Sequence, residues 1–169
     1  MANAVAALNA LTVEGATTAF IRCCGSSRWA SLMAVRRPFS GLEAILRVAD
    51  QTWEEMEESD ILEAFEHHPR IGADLESLRE KFASTKEWSS SEQAAVSSAS
   101  EETLLALRDG NIEYEKRYGF IFITCASGRS AEEILKELNS RMHHNYGDEL
   151  QIAAQEQAKI TRLRLEKLE

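Results

Sequence analysis

A chain of 169 residues with a formal net charge of −9 is the size of one domain and long enough to bury a core without disulfide or metal staples. Its acidic balance excludes a general nucleic-acid or polyanion binder, which needs a basic face. A few arginines inside one pocket can still oppose that charge locally and hold a small anion. Three cysteines, Cys23, Cys24 and Cys125, are odd in number and lack zinc-ligand spacing, so a reducing compartment is expected. No apolar run approaches the roughly 20 residues that cross a bilayer. The N-terminus, Met1-Ala2-Asn3-Ala4-Val5, also lacks the basic region and long apolar core of a signal peptide. The expectation is a soluble intracellular protein with no membrane span, folded as a single domain over residues 1–169.

Apolar residues recur at helical spacing from Thr12 to Cys24 and from Ser27 to Arg36, with a break at Gly25-Ser26-Ser27. Cys23 and Cys24 then read as helix-packing residues rather than a redox pair. In Arg37-Pro38-Phe39-Ser40-Gly41-Leu42-Glu43, Ser40 and Glu43 have the spacing of a capping box for a helix reaching about Met56. Ser59 is the expected N-cap of a helix through Phe65, and a short helix is expected over Leu75 to Ala83. Ser89 and Glu92 repeat the capping signature.

A longer helix over Glu101 to Arg117, mildly interrupted by Gly110, leads into Tyr118 to Ala126, the one run with strand character. An isolated extended segment has no second strand to pair with, so its amides and carbonyls need core groups, water or a ligand as partners. Ser130 and Glu133 open a further helix to about Asn145, with His143 and His144 in its last turn and Tyr146-Gly147-Asp148 turning the chain. The last helix is expected from Glu149 to Leu168. At roughly 100° per residue, Arg164 falls in the apolar stripe of Ala153, Ile160 and Leu168, whereas Arg162 falls on the opposite, solvent side. A guanidinium in such a stripe either snorkels at its edge or finds a carboxylate, carbonyls or an anionic ligand.

The stretch Glu63-Ala64-Phe65-Glu66-His67-His68-Pro69-Arg70-Ile71-Gly72 organises the functional reading. Pro69 cannot continue the helix and biases His68 toward extended geometry. Gly72 lets the corner close. A histidine at a helix C-terminus is favoured by the helix dipole whatever the protein does, and it is also the side chain whose charge changes near neutrality. The pairs His67-His68 and His143-His144 lack the i,i+4 spacing of a helical metal site, so no metal site is expected.

Taken in order, Arg37-Pro38-Phe39-Ser40-Gly41-Leu42, His68-Pro69 with Gly72, Ser89-x-x-Glu92-Gln93, Gly119-Phe120-x-Phe122 and Lys159-Ile160-x-x-x-Arg164-Leu165 resemble the family of decarboxylases that act on 2-oxo-4-hydroxy-4-carboxy-5-ureidoimidazoline (OHCU) and give (S)-allantoin in urate catabolism. The resemblance covers about Leu8 to Leu168. It implies an all-α multi-helix bundle with one short extended segment, a homodimer, a small ureide substrate and no cofactor.

The catalytic set it implies is His68 as general acid/base with Glu92 and Arg164. The substrate-binding set is Pro69, Ser89, Ser90, Ser91, Gln93 and the segment Phe122, Ile123, Thr124, Cys125 and Ala126. Many relatives carry an acidic residue where this chain has Arg70, so no catalytic role is carried to Arg70. In plants such a domain is commonly fused to a transthyretin-like hydroxyisourate hydrolase, which makes that activity the implied fused or separate partner. The compartment it implies is the peroxisome or the cytoplasm. The competing expectations are a noncatalytic helical interaction module whose pocket has degenerated, and a decarboxylase or lyase acting on another ureide acid.

Overall fold

A computed structural model of the protein describes residues 2–68, Glu76, Leu78 and 101–168. Among the described residues eight helices follow one another: α1 (Ala2–Ala10), α2 (Val13–Ile21), α3 (Ser27–Val35), α4 (Leu42–Glu54), α5 (Glu58–Glu66), α6 (Glu101–Tyr118), α7 (Ala131–Arg141) and α8 (Tyr146–Glu166). The fold is all-α, as expected. Residues 120–126 adopt neither helix nor strand. Among the described residues no helix is long and apolar enough to cross a membrane. The chain forms two compact units, Met1–His68 with Ala154–Glu169, and Pro69–Ala153.

The first unit is built on aromatic side chains of α2 and α3. Phe20 packs edge-on against Trp29 at 6.0 Å and against Phe39 at 6.2 Å, and Met33, Ile45, Leu46 and Leu165 close the same core. Indole nitrogens buried with large rings need acceptors. Trp29 Nε1 donates to Ala49 O at 3.1 Å, and Trp53 Nε1 donates to Ala154 O at 3.0 Å. Thr12 and Ser26 cap α2 and α3 by accepting from Gly15 N and Trp29 N, which satisfies amides that a helix start leaves open.

Several boundaries differ from the sequence expectation. Helix α1 has no counterpart among the expected helices. The Ser40 and Glu43 capping box does not form: α4 begins at Leu42 with Gly41 at the cap and no side-chain cap, while Asn9 exchanges two hydrogen bonds with the backbone of Phe39. The α5 helix starts two residues earlier than expected, with Glu57 rather than Ser59 as N-cap, and Asp60 accepts from Glu57 N at 3.0 Å. Tyr146-Gly147-Asp148 is not a turn but the first turn of α8. Asn145 Oδ1 accepts from Asp148 N at 2.9 Å, and Asn145 Nδ2 donates back to Asp148 Oδ2 at 2.6 Å. His143 and His144 lie beyond the end of α7 rather than in its last turn.

Arg37 joins these elements. Its guanidinium donates to Leu8 O at 2.7 Å, Leu11 O at 2.8 Å, Thr12 O at 3.3 Å and Ala34 O at 2.8 Å. Helix ends leave carbonyls without partners, and one planar fork of N–H donors serves the ends of α1 and α3 together. Hydrogen bonds to a charged group contribute about 1.5–3 kcal/mol. Arg37→Met is therefore expected to lower stability by about that amount, seen in urea denaturation as a lower midpoint at unchanged slope.

Candidate functional site

Helix α5 is held against α3 by its acidic side chains. The Glu63 carboxylate accepts from Ser27 N at 2.9 Å and Ser27 Oγ at 2.5 Å, and Asp60 pairs with Arg28 at 3.0 Å. Ala64 and Phe65 face inward and are buried. The helix closes on two adjacent imidazoles in different surroundings. His67 Nδ1 lies 3.0 Å from Glu63 O, and because a carbonyl only accepts, that nitrogen carries the proton. The His67 ring also covers Gly25, where a Cβ would lie 2.5 Å from His67 Cβ and Cγ. His67 is thus part of the packing between α5 and the loop leading into α3.

His68 has a different partner. Its Nε2 lies 2.5 Å from Gln157 Oε1, and Gln157 Nε2 donates to Thr161 Oγ1 at 3.1 Å. Gln157 is 0% exposed and Thr161 5%. Thr161 is in turn a hydrogen-bond partner of the Cys24 thiol. Burial pushes that thiol up to about 11, against smaller lowering contributions from the Ser26 backbone, Thr161 and the Arg164 charge. Arg164 donates to Cys23 O at 3.3 Å, so its head is satisfied partly by a backbone carbonyl. Arg162, expected on the solvent side, is half-exposed and pairs with the half-exposed Asp50 at 2.5 Å.

The segment carrying Phe122 to Ala126 belongs to the second unit, where charge holds an irregular backbone in place. Arg141, 3% exposed, donates to Ile123 O at 2.9 Å, pairs with Glu137 at 2.9 Å and with the fully buried Glu149 at 2.6 Å, and lies 4.6 Å over the Phe122 ring. Tyr114 donates to Glu149, and His144 Nδ1 is 2.9 Å from the other Glu149 oxygen. Thr124 Oγ1 contacts Glu137 at 3.2 Å and accepts from Arg129 at 3.0 Å. Cys125 and Ala126, at the end of the segment, are half-buried. Burial works to raise the Glu137 carboxyl, but the hydrogen bonds and charges of Arg129 and Arg141 outweigh it and hold the group below its ordinary value.

Within the first unit, His68 and Arg164 are joined by one polar path through Gln157, Thr161, Cys24 and Cys23. Pro69, Ser89, Ser90, Ser91, Glu92 and Gln93 lie outside the described residues, as does the expected helix over Leu75 to Ala83 apart from Glu76 and Leu78. Gln157, Thr161 and Arg141 are not among the residues expected from the sequence. The signal was present: on the wheel of α8, Gln157 falls between Arg164 and Leu168, inside the buried stripe.

The described residues make a helical protein in which an imidazole is set on a buried amide and an arginine lies on the same helical stripe as that amide. The chain belongs to the OHCU decarboxylase family, whose model matches residues 9–166. It is 42% identical over 147 residues to the uric acid degradation bifunctional protein TTL of Arabidopsis thaliana, covering 86% of this chain and 45% of that protein. It is 41% identical over 56 residues to the 2-oxo-4-hydroxy-4-carboxy-5-ureidoimidazoline decarboxylase of Amia calva, over 33% of this chain and 32% of that protein. The matched stretches span less than half the length of these curated relatives. Among solved structures, one of OHCU decarboxylase in the presence of (S)-allantoin matches with a TM-score of 0.71 and 37% identity, over 88% of this chain and 95% of that one. An (S)-allantoin synthase structure shares the fold, with a TM-score of 0.66 at 15% identity over 95% of this chain and 52% of that one.

Gly25→Ala is expected to cost about 1–3 kcal/mol by overpacking, measured by thermal or urea unfolding, because the atoms it meets are those nearest the His67 backbone. In the second unit, Arg141→Met leaves Glu149 buried without its cation and is expected to cost about 3–5 kcal/mol in the same assay. The Glu137 contribution is complete above the unfolded carboxyl range and is lost as pH falls through the lower folded value. Glu137→Gln should therefore flatten that part of the acid-stability curve.

Proposed function

We propose that this chain catalyses cofactor-independent decarboxylation of 2-oxo-4-hydroxy-4-carboxy-5-ureidoimidazoline to (S)-allantoin, with His68 as general acid/base. The observation that carries this reading is the geometry of His68. It sits at the end of α5 with Nε2 on the buried Gln157 amide, in a chain matched to the OHCU decarboxylase family over residues 9–166.

The chemistry needs little from the protein beyond orientation and a proton. The ring carbon that carries the carboxylate and hydroxyl neighbours a C=N bond. When the bond to CO2 breaks, its electron pair forms a C=C bond with the neighbouring carbon and the C=N pair moves onto nitrogen. The nitrogen takes up a proton, the enol that results loses its hydroxyl proton, and the carbon bearing the ureido group gains a proton on one face, which sets the (S) centre. An imidazole that both takes and returns a proton near neutrality suits these steps. Orientation and stabilisation of developing charge supply the rest.

In this reading Arg164 pairs with the substrate carboxylate or ring carbonyls, and Glu92 orients His68 or the substrate hydroxyl. Pro69, Ser89, Ser90, Ser91, Gln93 and the backbone of Phe122, Ile123, Thr124, Cys125 and Ala126 read the polar edge of the ring. Arg141 and Glu137 support that last role, because they fix the segment from behind through Ile123 O and Thr124. The resemblance to a bifunctional plant protein supports a hydroxyisourate hydrolase, fused or separate, as the supplier of substrate. A homodimer in the peroxisome or cytoplasm completes the proposal.

The test generates the unstable substrate in place from urate with urate oxidase and hydroxyisourate hydrolase, and follows circular dichroism. Wild type should give optically active (S)-allantoin rapidly, and folded His68→Asn should be slower by about 10²- to 10⁴-fold. Slow racemic product with folded wild type would overturn the activity and favour the noncatalytic interaction module. Near-wild-type turnover by His68→Asn would overturn the role of His68 alone.

A further inference from the structure

Resting on that reading of His68, we propose that Gln157 is a positioning residue that fixes the imidazole as its Nε2–H tautomer, so that Nδ1 is the nitrogen whose proton is exchanged during the reaction. Three features carry this. Gln157 is wholly buried, so its amide has no water to satisfy it and must use its protein partners. Its nitrogen end has an acceptor in Thr161 Oγ1 at 3.1 Å, which turns its oxygen end toward His68 at 2.5 Å. An amide oxygen only accepts, so the ring nitrogen facing it has to be the donor.

The opposite arrangement would place the amide nitrogen on His68 and move the ring proton to Nδ1. It would also leave Gln157 Oε1 facing Thr161, which would then have to donate to the amide rather than accept from it. The helical register supports the observed direction. Gln157 and Thr161 lie one turn apart on α8, so the amide is held from below by a residue of its own helix and cannot swing away from His68 independently.

The bond is also neutral. An amide oxygen brings no charge of its own to Nε2, so this bond does not by itself hold the ring as imidazolium. In the neutral ring Nδ1 is the base. In the protonated ring Nδ1–H is the proton that leaves, while Nε2–H stays on Gln157 throughout.

The test is a long-range proton–nitrogen correlation spectrum of 15N-labelled protein at a pH where the ring is neutral, read at His68 and assigned by its loss in His68→Asn. Wild type should show the proton on Nε2. Gln157→Met, which keeps the volume and removes the acceptor, should lose the single tautomer and lower kcat by about 10- to 100-fold with KM nearly unchanged. Gln157→Glu, which keeps an acceptor oxygen, should retain the Nε2–H signature. A wild-type spectrum with the proton on Nδ1 would overturn the proposal, as would a folded Gln157→Met protein with the wild-type tautomer and kcat. The wild-type spectrum needs neither turnover nor a stable variant. An Nε2–H spectrum from a protein without decarboxylase activity would uphold the Gln157 assignment and overturn the proposed function separately.

Discussion

A carboxamide sealed inside a helical core has to have its hydrogen bonds made for it, because a buried donor or acceptor left unmade costs about 1–3 kcal/mol. Gln157 sets this condition for the first unit. Its nitrogen is served by Thr161 from the same helix, and its oxygen needs a donor from elsewhere, which is His68 at the end of α5. The placement of α5 follows. Glu63 binds the start of α3, Arg28 holds Asp60, and the bare Cα of Gly25 gives His67 room to lie down before the chain reaches His68. Adjacent histidines thereby take separate roles, one in packing and one at the polar path.

The second unit meets a harder version of the same condition, because what it buries is charge. Removing Arg141 and Glu149 from water costs several kcal/mol per ion, and attraction offsets this only when the remaining hydrogen-bonding positions are also filled. They are filled here by Glu137, Tyr114, His144 and the carbonyl of Ile123. Burial and the Glu149 contact push the Tyr114 hydroxyl up, against the lowering charge of Arg141, so Tyr114 remains a donor. The irregular run of residues 120–126, which has no ladder of its own, obtains its anchor from this cluster. Gly119, at φ +76°, lets the chain leave α6 in a left-handed conformation that other residues resist, and its amide still reaches Glu115 O at 2.8 Å.

What the sequence revealed was mostly periodic or local. The helix ending at His68, the Ser130 and Glu133 capping box and the inward position of Arg164 all follow from spacing within one segment. The differences arose where another group, distant or adjacent, takes up the backbone that a local pattern claims. Ser40 has the right neighbour for a capping box, but Asn9 takes up the backbone of Phe39 and the helix begins beyond Gly41. Tyr146-Gly147-Asp148 reads as a turn until Asn145 and Asp148 are seen to cap each other. Gln157 and Arg141 are polar residues on apolar stripes just as Arg164 is: Arg141 shares its stripe with Ile134 and Leu138, and only the buried partners of each side chain distinguish it from a snorkelling residue. The carbonyls that Arg37 collects come from residues 25 to 29 positions away and from one only three away, and no spacing rule announces such a set.

The thiol at the far end of the His68 path has a bearing on chemical durability. The reactive form of cysteine is the thiolate, and both Cys23 and Cys24 are raised to about 11, chiefly by burial and in spite of the nearby Arg164 charge. At neutral pH the thiolate fraction is then roughly 10⁻⁴, well below that of an exposed cysteine. The two buried sulfur atoms are thus poor targets for peroxide or disulfide exchange. The polar path can therefore keep its geometry through oxidative conditions that would convert an exposed cysteine pair.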